Sequence, residues 1–416
     1  MGVPEAHRVG GYERQAFRLA AALARRGVAV RAVTHLLEAE PAREGGAAEV
    51  PLDVLPIPGR RGGRSALACA RYLLRRRRGR RRLVVHCHAL AAFSFTLAYA
   101  AQRLGIPTVI KVATAGDIDR FCDSPFADRP VHRFGPRLRD VLKRCGAVVT
   151  LNALSEDEAR RHLQRVPSRV LPLSNLVDLP DMDGAPEERP KGPAREGPDP
   201  QDAVGRALAD ARKEGRRCAL MVNRLEARKN TLRLARLFCD LPEEVRRRWR
   251  LIVVGRGDEE EALRVHLKQR GDGPVVLLGE QMGHERWLGE ADLFVLASER
   301  EGNPNGLMEA AASGARVLVT DIPGAGDCLP ATARDQVFSL GDPQALETTG
   351  RERLLACLAA IEAGAARVGA AHGDGMGHRS GAPDPLRAMG RRLFGPDVVC
   401  ARYLWLYDHL LNRGGR

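Results

Sequence analysis

Lysine is nearly missing from this chain of 416 residues, since only six of its 66 basic residues are lysine and the rest are arginine. Aromatic residues make up 4%, and the basic stretch from Arg60 to Arg82 has only Tyr72; the stacking platforms that single-stranded nucleic acids need call for more, and no nucleic-acid partner is expected. The nine cysteines include no Cys-x-x-Cys pair. Neither a disulfide framework nor a zinc site is suggested, and reduced thiols in a cytoplasmic protein fit best. Long apolar runs are also lacking. The first residues, Met-Gly-Val-Pro-Glu-Ala-His-Arg, hold no signal core, and the most apolar stretch, Ala89 to Ala101, is shorter than the ~20 residues of a spanning helix. A soluble protein is expected, peripheral on a membrane at most. A hydrophobic share of 44% rules out collagen, coiled coil and wholesale disorder.

Charge is unevenly placed. The formal net charge is +14, and Arg60 to Arg82 holds 11 arginines and no acid. Interleaved Leu67, Tyr72, Leu73 and Leu74 suit a basic helix on an anionic membrane surface, each charge adding ~1 kcal/mol there. A solvated arginine-rich helix in an arginine-rich chain fits the same residues.

The apolar pattern alternates helix, glycine, strand. Phe17, Leu19, Ala20 and Leu23 recur at helical spacing up to Gly27, and Val28 to Val33 reads as a strand; the unit returns around Gly105 and Gly146. Such alternation predicts a parallel sheet flanked by helices. Crowding by Pro, Gly and charge from Pro180 marks a linker. Strand-like runs resume at Cys218–Val222, Leu251–Val254, Val275–Leu278, Leu293–Leu296 and Arg316–Val319. The expected organisation is α/β throughout: an N-terminal Rossmann-like domain over 1–179, a linker over 180–215, a second Rossmann-like domain over 216–394, and a closing helix over 395–416 packed back on the first domain. An α/β half opens with a strand, yet only Val3 and Val9 precede the first helix. The N-terminal domain is therefore expected to lack its first strand, or the true start to lie upstream of Met1.

Ligands of doubly wound sheets bind at the carboxyl ends of strands, and the unusual polar residues stand there: His86 and His88, Lys111 with Thr114 and Asp117, Asn223-Arg224, Gly255-Arg256-Gly257 and Glu301-Gly302-Asn303. Gly10-Gly11 precedes the first helix, where a glycine pair lets backbone approach a phosphate, or simply turns. The strongest constellation runs from Glu301 to Glu309 into a helix that Asn303 or Asn305 can cap, leaving backbone N–H groups facing the loop. A carboxylate accepts two hydroxyl hydrogen bonds and suits a vicinal diol; as structure alone, Glu309 complements a helix dipole and Glu301 is a solvated loop residue. Arg224 and Lys229 are cations suited to a diphosphate. In so arginine-rich a chain the lysine is the more telling of the two.

These pieces resemble the family 4 retaining glycosyltransferases of the GT-B fold, through nearly the whole chain. The motifs are Gly10-Gly11-Tyr-Glu-Arg-Gln, Leu83-Val-Val-His86-Cys-His88, Gly105 to Lys111, Ser174-Asn175-Leu-Val-Asp178, Asn223-Arg224 to Lys229-Asn230, Val254-Gly255-Arg-Gly257 and the Glu-x7-Glu spacing of Glu301 and Glu309. Leu176 and Asn223 stand where glycine is usual. Ala113 to Asp117 lacks the histidine many members have, leaving Thr114 or Asp117 in its place.

The resemblance implies two Rossmann-like domains facing across a cleft and transfer of a sugar, with retention, from a nucleotide diphosphate sugar (UDP- or GDP-sugar) to an acceptor hydroxyl on a glycan or lipid-linked acceptor, in envelope glycan, exopolysaccharide or glycolipid synthesis. Glu301 with Asn305, Gly306 and Leu307 would hold the donor sugar, Glu309 the ribose, Arg224 and Lys229 the diphosphate; Gly10, Gly11 and Gly255 would line the nucleotide site. His86, His88, Lys111, Thr114 and Asp117 would lie on the acceptor side. No cofactor or metal is implied. The alternative is a catalytically silent relative serving as a scaffold or partner-binding subunit.

Overall fold

The computed structural model describes residues 11–34, 50–55, 62–77, 82–112, 114, 116–163, 169–177, 202–281, 283–322, 324–329, 336–371 and 385–413. The chain forms two compact units, residues 1–178 with 393–416, and residues 179–392.

In the first unit the elements are α1 (Gly11–Arg25), β1 (Ala32–Thr34), β2 (Leu52–Val54), α2 (Gly62–Arg77), β3 (Val85–Cys87), α3 (Ala92–Arg103), β4 (Thr108–Lys111), α4 (Asp117–Cys122), α5 (Leu138–Lys143), β5 (Ala147–Thr150), α6 (Ala153–His162) and β6 (Val170–Pro172). All strand pairs are parallel, and the sheet comes in two pieces, β1-β2 and β3-β4-β5-β6. Among the described residues no strand precedes α1 or joins the two pieces. Val3, Val9 and Gly10, on which the missing-strand expectation turned, lie outside those residues.

The second unit runs α7 (Ala203–Lys213), β7 (Arg217–Val222), α8 (Thr231–Cys239), α9 (Glu243–Arg248), β8 (Trp249–Val254), α10 (Glu260–Arg270), β9 (Val275–Leu277), β10 (Leu293–Leu296), α11 (Asn305–Ser313), β11 (Val317–Thr320), β12 (Val337–Gly341), α12 (Arg351–Ala371) and α13 (Pro385–Phe394), which leads back into the first unit. Its sheet is parallel, in the order β12-β11-β10-β7-β8-β9. This is the doubly wound order, and it reverses between β7 and β10, where a crevice opens beyond the strand ends. Strands buried on both faces read as continuous apolar runs, as in Ala219-Leu-Met221 and Leu293-Phe-Val-Leu296.

Helix α14 (Pro396–Arg413) closes the first unit. Val399, Tyr403 and Leu406 pack with Leu19 and Leu23 of α1 and with Val109 and Val149 of the sheet. Gln15 also fixes α1, its side-chain amide donating to Leu176 O and accepting from Leu176 N–H, both at 3.0 Å.

The linker expected over 180–215 needs correction at its end, because residues 203–213 form helix α7. Asp202 caps it through Gly205 N–H (3.0 Å), and Val204, Leu208 and Ala211 are buried. Strands β2 and β12 were not anticipated, and β1 begins at Ala32 rather than Val28. All nine cysteines are free thiols, eight of them buried. No helix among the described residues is long and apolar enough to cross a membrane.

Candidate active site

The loops leaving β7 and β10 meet at the reversal of the second sheet. The β7 loop is laced to the β8 exit: Asn223 N–H donates to Val254 O (3.1 Å), Leu225 N–H to Arg256 O (2.9 Å) and Glu259 N–H to Leu225 O (2.9 Å). Gly255 is required for this lacing. Its φ is +147° and an added Cβ would lie 1.8 Å from Asn223 O, so only glycine lets the two loops approach. The loop then tightens into a single 3-10 turn, Ala227–Lys229, and Asn230 takes the left-handed conformation at φ 53°. From there Asn230 Nδ2 donates to Ala297 O at 3.0 Å, tying the start of α8 to the end of β10. Thr231 Oγ1 donates to Asn223 Oδ1 at 3.0 Å.

That path carries Lys229 across to the second loop, where its ammonium donates to Glu301 Oε1. Ser298 Oγ donates to the same oxygen at 2.7 Å, and Thr320 Oγ1 secures Ser298 through its carbonyl at 2.6 Å. Glu301 is thus a buried, oriented carboxylate rather than a solvated loop residue. Arg224 is placed differently. Its guanidinium is largely exposed and donates to Glu226 Oε1 (3.0 Å), with Arg228 on the other oxygen (2.8 Å). Burial pushes the Glu226 carboxyl upward, but the bonds from Arg228 and Arg224 outweigh it and the pKa ends below its ordinary value.

Helix α11 begins at Asn305, and its N-cap position is Pro304, whose side chain makes no capping bond. Proline needs no backbone donor at a helix entry, and Asn303 Nδ2 points to Cys328 Sγ at 3.5 Å. The first intrahelical bond is Met308 N–H to Pro304 O (3.1 Å), so the amides of Asn305, Gly306 and Leu307 precede the ladder and gather the positive end of the helix dipole. Gly306 lets this end sit close to the sheet, since a Cβ there would be 3.1 Å from Phe294 and 3.4 Å from Val222 O. Glu309, a turn further in, is buried. Its carboxylate, the imidazole of His284 and the carboxylate of Glu285 bring ligand atoms within 4.8 Å of one another. His284 Nδ1 lies 3.0 Å from Gln281 O, to which it donates. Neither His284 nor Glu285 carries a sequence signal, because their loop reaches Glu309 only through the sheet's winding.

In the first unit, β3 and β4 are in register with His86 beside Val109. Two-residue periodicity then puts His86, His88 and Lys111 on one sheet face. The imidazoles stack at 4.3 Å, His86 Nδ1 pairs with Tyr407 Oη at 2.8 Å, and Lys111 Nζ donates to Asn175 Oδ1 at 2.6 Å. All three are buried. Burial pushes Lys111 down to about 7. It also holds His86 well below the usual histidine range, with Lys111 adding to the effect, and His88 likewise, with His86 and then Lys111 adding. The Nε2 atoms of both histidines and the Tyr403 hydroxyl have no hydrogen-bond partner. Thr114, in the next loop, donates through its N–H to Oδ2 of Asp117, the first residue of α4 (3.1 Å). Glu158, which sequence reasoning missed, accepts from Gly116 N–H at 2.6 Å, and burial raises its pKa. Of the glycine pair, Gly11 opens α1 and Gly10 lies outside the described residues.

The structure therefore joins Lys229, Glu301 and the start of α11 in one place and leads Glu309 into a cluster with His284 and Glu285. It places Arg224 on a separate carboxylate and His86, His88 and Lys111 in the other unit. Two family models match the chain: the glycosyl transferase 4-like domain over residues 10–175 and glycosyl transferases group 1 over residues 209–348. Among solved structures, Anabaena HepE in complex with UDP is 14% identical and covers 98% of this chain and 99% of its own, with a TM-score of 0.65. The catalytic domain of starch synthase IV from Arabidopsis thaliana, bound to ADP and acarbose, is 14% identical over 99% of each chain, TM-score 0.64. WaaG, a glycosyltransferase involved in lipopolysaccharide biosynthesis, is 19% identical over 94% of this chain and 98% of its own, TM-score 0.58. At these identities the likeness is one of fold. No curated protein matches the chain.

Proposed function

The chain belongs to the group 1 glycosyltransferases and has their GT-B fold, and from that premise we propose that it moves a sugar from a nucleotide diphosphate sugar to an acceptor hydroxyl, with retention at the anomeric carbon. The observation that carries this reading is the meeting of Lys229, Ser298 and Glu301 with the N-terminus of α11 at the reversal of the second sheet. A cation and a helix dipole stand there to receive a diphosphate, beside a fixed carboxylate able to hold sugar hydroxyls. The UDP and ADP held by HepE and starch synthase IV support a nucleotide donor.

In this reading Lys229, the amides of Asn305, Gly306 and Leu307, and Arg224 once released from Glu226 stabilise the charge that grows on the leaving diphosphate, which lowers the barrier more than it favours the bound donor. Glu301 orients the sugar, Glu309 accepts from the ribose hydroxyls, and Gly255 shapes the loop beside them. The anomeric carbon–phosphate oxygen bond breaks, the acceptor oxygen bonds the same face of that carbon, and its proton passes to a phosphate oxygen of the departing nucleotide. His86, His88, Lys111, Thr114 and Asp117 belong to the acceptor side, and the reading gives no step to a metal or cofactor. A glycan or lipid-linked acceptor in envelope or exopolysaccharide synthesis is the acceptor class proposed, and a cytoplasmic site of action goes with it.

Calorimetric titration with UDP, GDP and ADP tests the reading. One nucleotide should bind, and Glu309→Ala should weaken it about tenfold or more, the worth of ~1.5–3 kcal/mol for hydrogen bonds to a charged group. A folded chain that binds none of the three and never hydrolyses a donor would be the scaffold instead.

A further inference from the structure

Helix α2 has two unlike faces. Inward, Ala66, Cys69 and Leu73 are buried in the core of the first unit. Along the helix edge the Tyr72 hydroxyl donates to Asp53 Oδ2 (2.7 Å), and Arg31 (2.7 Å) and Arg76 (3.0 Å) close on the same carboxylate. These contacts hold the helix against the body of the protein. Outward, Arg64, Leu67, Arg71, Leu74 and Arg75 recur at spacings of three and four residues, and all five are exposed. Leu67 is 51% exposed and Leu74 47%. They stand seven positions apart on one stripe, with arginine on both sides and no acidic residue from Arg60 to Arg82. Among the described residues, the carboxylate bound along this helix, Asp53, is taken up by Arg31 and Arg76.

Single exposed leucines are ordinary on protein surfaces. Two aligned leucines set among cations, on a helix whose other face is fixed, form the pattern of a helix lying in a membrane interface. We propose that the outward face of α2 docks on a bilayer carrying anionic lipid, with Leu67 and Leu74 entering the headgroup layer and Arg64, Arg71 and Arg75 pairing with lipid phosphates. Charge complementarity picks the lipid sign. The leucines pick a membrane over nucleic acid, for a phosphate backbone offers them nothing to enter, and stacking on bases needs free aromatic faces. The aromatic residue of α2, Tyr72, is half-buried, with its hydroxyl on Asp53 and the Arg76 guanidinium 5.3 Å from its ring centre. The inference does not depend on the proposed transfer reaction, because its readout is binding.

The test is flotation of the full chain with vesicles of phosphatidylcholine alone or mixed with phosphatidylglycerol. Two multiple variants accompany it, Leu67→Ser with Leu74→Ser, and Arg64→Gln with Arg71→Gln and Arg75→Gln. Thermal unfolding confirms that each still folds, as exposed positions permit. The wild type should float with the anionic vesicles only, and each variant should reduce the bound fraction at least fivefold. No flotation overturns the proposal, as does flotation that both folded variants retain. If the arginine variant alone loses binding, and the wild type retains a labelled oligonucleotide with the same arginine dependence, the face binds nucleic acid and the membrane assignment fails.

Discussion

The Lys229 ammonium and the Glu301 carboxylate, 72 positions apart in the chain, are paired directly, and their side chains are only 12% and 10% exposed. Resemblance implies separate partners for them, a diphosphate and a sugar. The pair also bridges the β7 and β10 loops at the point where the sheet order reverses. Removing one member leaves the other charge buried without compensation, at a cost of roughly 3–5 kcal/mol. Lys229→Met and Glu301→Gln should therefore each lower the melting temperature, and the double variant should recover most of the loss. All three should transfer sugar at least ~100-fold more slowly, the scale of a lost electrostatic contact in the transition state. Thermal unfolding and turnover measured on the same preparations check both halves. Single variants that melt with the wild type would remove the pair from its bridging role.

Gly255 offers a sharper steric case. Alanine there would place its Cβ 1.8 Å from Asn223 O at a φ of +147°, and the obstacle is backbone that cannot swing aside. Gly255→Ala is expected to cost about 1–3 kcal/mol or more and to displace the loop carrying Arg224. Nucleotide affinity should fall with stability. Gly283→Ala is the comparison, since a Cβ there meets nothing within 4 Å although its φ is also positive, at +65°. It should lose the strain energy alone, and denaturant midpoints of the two variants give the difference.

Asp202 is a third test, set where the expected linker turned out to be helix. Its carboxylate accepts from Gly205 N–H (3.0 Å), the Arg286 guanidinium (2.5 Å) and the Trp287 indole N–H (2.6 Å). Asp202→Ala removes a cap worth ~1 kcal/mol and leaves a Trp287 donor unpaired at ~1–3 kcal/mol more. Asp202→Asn should retain the cap through Oδ1 and lose the contacts of both Arg286 and Trp287, which donate to Oδ2, where the amide would place an NH2. Urea unfolding of both variants separates the two parts.

Asp202 also explains what could be read from the sequence. The cap and the spacing of Val204, Leu208 and Ala211 were legible locally, but the Pro- and Gly-rich neighbourhood masked them, and what fixes α7 comes from Arg286 and Trp287 far along the chain. The buried strands β7, β8, β10 and β11 were legible because burial on both faces writes an unbroken apolar run. Short edge strands such as β2 and β12 write no such run. At the site, Lys229, Glu301 and Glu309 stood out by spacing and by the rarity of lysine. Ser298, immediately after the β10 run and three residues before Glu301, could have been found from the same loop. His284 and Glu285 could not, since they reach Glu309 through tertiary winding alone.

Lys111 carries a pH signature with a fixed sign. Its ordinary pKa is 10.5 and burial brings the folded value to about 7. Between those two pH values the unfolded chain holds a proton that the folded chain lacks, so stability rises with pH across the window. His86 and His88 are held well below 6.5. As pH falls below that value the unfolded imidazoles take up protons that the folded ones refuse, and stability drops on the acid side as well. Both effects favour the folded chain at higher pH. Lys111→Met fills similar volume without a charge to desolvate. It should raise the melting temperature at pH 7, flatten the rise between pH 7 and 10, and leave the acid limb in place. Its net gain is reduced by the loss of the hydrogen bond to Asn175 Oδ1. Melting curves of wild type and variant across that pH range are the measurement. An alkaline rise of equal slope in both would mean that Lys111 is charged in the folded chain.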